Sequence, residues 1–261
     1  MKQGIIVKRI LVCMDTSRRY IDAGSRRRLV RFVRSRWNPD GGVRGRDEKS
    51  DLYYTVFAVL CMRALSRPVP LLRLWRFVQS HGEGESLDAV HLFCLIRLRT
   101  LFPSRVATRR KLMALLEAKQ ADSAYDMFFK VVAAEYLGLN DRPEEELLIS
   151  SSQTTPNVAA AVVINHRENP AARRLLLDRF CQGGGFRASA TAPCADLLST
   201  ATALFALRLM ETDMEPIRDT CLDFIESLWR DNGGFAGYAQ DGFEDVEYTF
   251  YALLSIGCLM E

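Results

Sequence analysis

The residues of this chain best suited to chemistry are carboxylates at the starts of apolar stretches. Glu244, Asp245 and Glu247 crowd into four positions. Neighbouring carboxylates tune one another's protons, so such a group can supply an acid. Asp196 opens another apolar stretch and joins Asp245 and Glu247 as a catalytic candidate. Asp51 opens a third. Asp is also a good helix N-cap, and carboxylates suit the positive end of a helix. A common place at three equivalent starts is what capping predicts. A second cluster is cationic. Arg44, Arg46 and Lys49 lie in the loop before Asp51, and Tyr53 and Tyr54 follow it. Guanidinium forks suit a diphosphate, to which Tyr54 can hydrogen-bond. The plain alternative is solvated loop charge. Among three histidines, His91 falls one turn into an apolar stretch, where it faces either a cavity or a structural partner.

These residues need helices to position them, and the sequence supplies a repeat. Gly183–Met210 joins a glycine turn, a short polar loop and an Asp that opens a long apolar helix. The same order recurs at Asn232–Met260 and Asn38–Leu65. Between these, amphipathic segments alternate with segments apolar almost all round. The pairs, outer then inner, are Arg27–Arg36 with Asp51–Leu65, and Pro70–Gln79 with Ser86–Leu101. Val106–Lys119 precedes Ser123–Gly138, and Glu144–Ser151 precedes Pro156–Asn165. Pro170–Cys181 precedes Asp196–Met210, and Pro216–Trp229 precedes Asp245–Met260. That predicts six helical hairpins and twelve helices, with a period of a repeat fold.

An open stack needs polar faces on its terminal repeats. Here the first and last inner helices are as apolar as the middle ones. A ring resolves this, so the expected fold is all-α: an α/α toroid of six hairpins over residues 23–261. Residues 1–22 form an N-terminal extension, whose IIVKRILVCM run reads as a short strand or as a helix edge.

Gly184–Leu204 and Gly233–Leu253 share the order GGF, Asp, apolar residue, x-x-Thr, x-x-Ala-Leu, and Gly41–Leu60 is related to them. This pattern resembles the repeats of protein prenyltransferase β subunits and of squalene and oxidosqualene cyclases. The resemblance implies an apolar barrel for an isoprenoid chain, with helix N-termini at one mouth. Tyr53, Phe57, His91, Phe128, Thr200 and Tyr248 are then the expected cavity lining. It also implies where zinc would sit in a prenyltransferase. The Asp is kept as Asp196, but the Cys position holds Leu198 and the His position Tyr248. The Asp-x-Asp-Asp acid of the cyclases and the Asp-Asp-x-x-Asp magnesium motif are absent. No cofactor is therefore expected, with zinc or magnesium as the alternative. Gly45–Lys49 resembles the family's diphosphate loop, though it lies in the first hairpin rather than the fifth.

The functional expectation is a transferase or cyclase of unusual type acting on an isoprenoid or other apolar small molecule. The alternative is a catalytically silent lipid-binding or scaffold toroid that docks a protein partner, or a second copy, through a basic first helix. Residues 1–50 hold 14 Lys/Arg against 5 Asp/Glu, while the whole chain is only +3. Such an end favours an anionic partner: a phosphate, an acidic protein face or a lipid surface. No nucleotide loop is present and no nucleic acid is expected. Seven Cys without metal-binding spacing read as reduced thiols, which points to the cytoplasm. No apolar run is long enough for a transmembrane segment.

Overall fold

A computed structural model describes residues 4–103, 106–139 and 143–261. The six inner helices are α3 (Leu52–Ala64), α5 (Ala89–Arg99), α7 (Ala124–Leu137), α8 (Thr155–Asn165), α10 (Leu197–Leu209) and α12 (Val246–Met260). Each packs on its neighbour in that order, and α12 packs on α3, which closes the ring. Outside lie α2 (Ala23–Ser35), α4 (Leu71–Ser80), α6 (Val106–Glu117), α9 (Pro170–Leu177) and α11 (Glu215–Ser227). The physical cause is the one the sequence implies. On α12, residues as far round the helix as Phe250, Ala252, Leu253 and Leu254 are all buried. Full burial of such a Leu or Phe is favourable by about 1.5–3 kcal/mol, and only a closed ring offers it on every side.

Two details differ from expectation. Glu144–Ser151 is not helical. Its three consecutive glutamates leave no apolar stripe to bury, and Leu148 is exposed. The extended segment is held by the Asn165 side chain, which donates to the Leu147 carbonyl and accepts from its N–H. The ambiguous N-terminal run resolves instead as helix α1 (Ile5–Tyr20); residues 1–3 of that segment lie outside the described residues. Helix α1 packs on α12, α3 and α7. The buried Glu135, near the end of α7, accepts from the N–H groups of Ile6 and Val7 at 3.2 and 2.9 Å. A carboxylate there satisfies free donors and suits the helix dipole. At Gly257 the backbones of α12 and α1 touch: an added Cβ would lie 1.9 Å from the Cys13 carbonyl oxygen. Helix α1 thus covers the end of the barrel where the inner helices finish.

At the opposite end stand three short antiparallel ladders. β1 (Val43–Arg44) pairs with β2 (Ser50–Asp51), β3 (Phe186–Arg187) with β4 (Ala195–Asp196), and β5 (Phe235–Ala236) with β6 (Glu244–Asp245). Each ladder ends on the Asp that caps the following helix. The threonine four residues later locks the turn. Thr55, Thr200 and Thr249 donate to the carbonyls of Asp51, Asp196 and Asp245. They accept from the N–H groups of Val43, Phe186 and Phe235. Gly41, Gly184 and Gly233 precede the ladders with φ of 97°, 85° and 96°. Each backs onto the next outer helix, at Arg73, Thr220 and Arg28, where a side chain would strike backbone. Gly233 meeting α2 closes the outer ring as α12 and α3 close the inner one.

Candidate functional site

The inner helices begin together, so their first turns form one mouth. Positions two and three after the capping Asp face the adjoining helix starts. On α12 these are Glu247 and Tyr248, and on α3 they are Tyr53 and Tyr54. Helices α12 and α3 are neighbours, and the Tyr53 hydroxyl donates to Glu247 Oε1 at 2.6 Å. Beside this pair, Arg46 from the β1–β2 loop reaches two buried carboxylates. Its Nη2 donates to Asp241 at 2.9 Å and its Nε to Asp245 at 3.4 Å. Its guanidinium also lies against the rings of Phe243 and Tyr248.

Burial governs the electrostatics. It pushes Glu247 up to about 7, against the opposing Tyr53 hydrogen bond; the Asp245 charge adds to the rise and Arg46 offsets part of it. Burial also raises Asp245, while the Tyr248 N–H and Arg46 hold it down. Tyr54 is pushed up to about 12 by burial and by the charges of Asp245 and Glu247. The arrangement therefore keeps one carboxyl, Glu247, poised to give a proton near neutral pH, among tyrosines that stay protonated.

Below the mouth lies an aromatic chamber. Its volume is about 90 Å³, and Tyr53, Phe57, Phe93, Tyr125, Phe128, Phe129, Phe205, Phe250 and Tyr251 line it, with Ile10 of α1 as part of its lining. The rings pack on one another: Phe57 meets Phe250 at 5.1 Å and Phe93 meets Phe129 at the same separation. Tyr53, Tyr125 and Phe129 belong both to this chamber and to the adjoining mouth. Tyr53 thus stands at the junction of polar mouth and apolar chamber, and Glu247 reaches that junction through the Tyr53 hydroxyl.

The other candidates fall elsewhere. Asp196 caps α10, and Ser199 occupies both its oxygens, through its N–H at 2.8 Å and its hydroxyl at 2.7 Å. Thr200 does not line the chamber; it is the buried lock of its turn, and Thr202 lines the chamber instead. Tyr248 is not on the chamber wall either. It packs against Gly237 and beneath Arg46. His91 lies at the mouth rather than in the chamber. Its ring nitrogens reach Asp88 at 2.8 Å and Asp51 at 3.2 Å, which ties the starts of α5 and α3 together. Burial pulls His91 down, but these hydrogen bonds outweigh it and the imidazole lies above its ordinary value.

The expected diphosphate cluster is dispersed. Arg44 pairs with Glu48, Arg46 with the two aspartates, and Lys49 is exposed in the loop. Only Arg46 and Tyr54 remain beside the carboxylates. The donor set does not fit zinc: Asp196 is saturated by Ser199, Leu198 offers no donor, and the third position is a tyrosine under a guanidinium. Sequence reasoning did not name Asp241, Asp88 or Tyr125 as site residues. Asp88 had a signal in its N-cap position; Asp241 and Tyr125 acquire their roles only through residues far away in the chain.

The chain belongs to the prenyltransferase alpha-alpha toroid family: the pattern of that domain matches residues 9–86 and 108–261. Among solved structures it is similar to a variant of the type II terpene cyclase MstE from Scytonema, determined in complex with geranylgeranyl dihydroxybenzoate. That likeness has 14% identity and a TM-score of 0.39, over 96% of this chain and 86% of the other. Comparison with curated proteins gives no match.

Proposed function

We propose that the barrel takes an isoprenoid-type or other long apolar small molecule, with Glu247 as the acid at its mouth. The chemistry is that of a terpene cyclase of unusual type, without zinc and without the Asp-x-Asp-Asp cluster. The observation that carries this is the Glu247 carboxyl, raised to about 7 and hydrogen-bonded to Tyr53, whose ring lines both the mouth and the aromatic chamber. The carboxyl proton would add to an alkene carbon, leaving a carboxylate and a carbocation. Aromatic faces stabilise cations, and loss of a proton from the cation or capture of water would end the reaction. Ligand sites usually measure about 300–1,000 Å³, so a chain has to turn the mouth rings Tyr125 and Phe129 aside. Asp245 and Arg46 act here as electrostatic neighbours of the acid, and Asp196 as a helix cap. The seven free thiols accord with a cytoplasmic setting.

The test is incubation with polyprenols and squalene, with product analysis by mass spectrometry. New hydrocarbon or alcohol products that disappear in Glu247→Gln, while ligand binding persists, support the reading. Saturable binding without products would replace it by the silent lipid-binding toroid. The chamber's small volume favours that second reading, as it does a scaffold that docks a protein or a second copy through α2. Neither binding nor turnover would leave only the scaffold.

A further inference from the structure

We propose that outer helix α4 and the arginines around it form a docking face for an anionic lipid surface. The sequence between Asp51 and Glu83 contains no acidic residue. It does contain Arg63, Arg67, Arg73 and Arg76, all exposed, and none of the four is ion-paired among the described residues.

Helix α4 has two apolar faces where a surface helix needs one. Leu74, Phe77 and Val78 are buried against the ring. Leu71, Leu72 and Trp75 are 51%, 65% and 45% exposed. Their spacing puts the three on one outward stripe. Single exposed apolar residues are ordinary, but a stripe of Leu and Trp marks an interaction face. Its chemistry selects the partner. Leu and Trp with flanking Arg are the composition of a helix lying in a lipid interface, and anionic headgroups complement the unpaired guanidinium groups. The preceding outer helix, α2, adds exposed Arg27, Arg31 and Arg34.

The experiment is co-sedimentation of the full chain with vesicles of phosphatidylcholine alone or with about 30 mol% phosphatidylglycerol. The expected result is binding to the anionic vesicles only, with a blue shift of tryptophan emission that Trp75→Phe removes. The double variants Leu72→Ser/Trp75→Ser and Arg73→Glu/Arg76→Glu should each weaken binding by roughly tenfold or more. Circular dichroism confirms that each variant is folded, as these side chains are exposed. Absence of binding to anionic vesicles overturns the proposal. Binding unaffected by Leu72→Ser/Trp75→Ser also overturns it, since that marks a purely electrostatic face of the kind an acidic protein would fit.

Discussion

Two inner helices begin in the same way and end up with different chemistry. Both α10 and α12 follow a glycine turn and a two-residue ladder. Both are capped by Asp and locked by a threonine hydroxyl. The difference that matters lies at the second and third positions after the cap. On α10, Leu198 and Ser199 follow; the serine satisfies Asp196 and the leucine offers nothing to protonate. On α12, Glu247 and Tyr248 follow. Glu247 becomes a half-buried carboxyl with a raised pKa, and Asp245, with no serine on its second oxygen, takes Arg46 from the neighbouring hairpin. The comparison teaches that the repeat supplies position and the second and third residues after the cap supply reactivity.

The largest expected effect is at Glu247. A carboxyl whose folded value is raised from 4.5 to about 7 favours folding while it stays protonated. That stability is fully present below pH 4.5 and is lost as pH rises through 7. Glu247→Gln should therefore match the wild type near pH 4 and exceed it by about 3 kcal/mol at pH 8, by chemical denaturation. A glutamine at the Leu198 position should create no such pH dependence. Equal pH profiles for wild type and Glu247→Gln would erase the distinction between the two helix starts.

Next come the shared locks. Thr200→Val and Thr249→Val each keep the shape but leave a buried N–H and carbonyl unpaired. Each should cost about 1–3 kcal/mol at any pH, and by similar amounts, because the turns are equivalent. A large inequality would mean that the turns are not. Ser199→Ala should cost about 1 kcal/mol and raise Asp196 further, since the serine is what opposes burial there.

The smallest effect is at His91. Its raised value means that its clamp stabilises the fold below about pH 6.5 and that this is lost as pH rises through the folded value. The side chain is 33% exposed, and solvent screening should keep the gain under about 1 kcal/mol. A proton NMR titration of His91 should give a value raised from that of a free histidine, and Asp51→Asn should lower it.

The ring was legible in the sequence because inner helices apolar on every face leave no other arrangement. The caps at Asp51, Asp196 and Asp245 were legible because capping is local. The N-terminal helix was not, since its buried face of Ile6, Val7, Leu11 and Met14 makes sense only against the helices it packs on. The segment at Glu144–Ser151 followed the period of the array but lacked an apolar stripe, and composition prevailed over period. At the mouth, the types of Arg46, Tyr53, Asp245 and Glu247 could be read. Their partnership could not, because Tyr53 and Glu247 lie 194 residues apart and meet only when the ring closes. The same closure brings Arg46 beside the carboxylates of Asp241 and Asp245.

The most direct measurement is a carbon-13 NMR titration of the Glu247 side-chain carboxyl in the intact protein, assigned with Glu247→Gln. A midpoint near the expected value of about 7, moving higher in Tyr53→Phe, is the predicted result. A midpoint near the free value of 4.5 would contradict it, and the mouth would then hold an ordinary carboxylate with no proton to give.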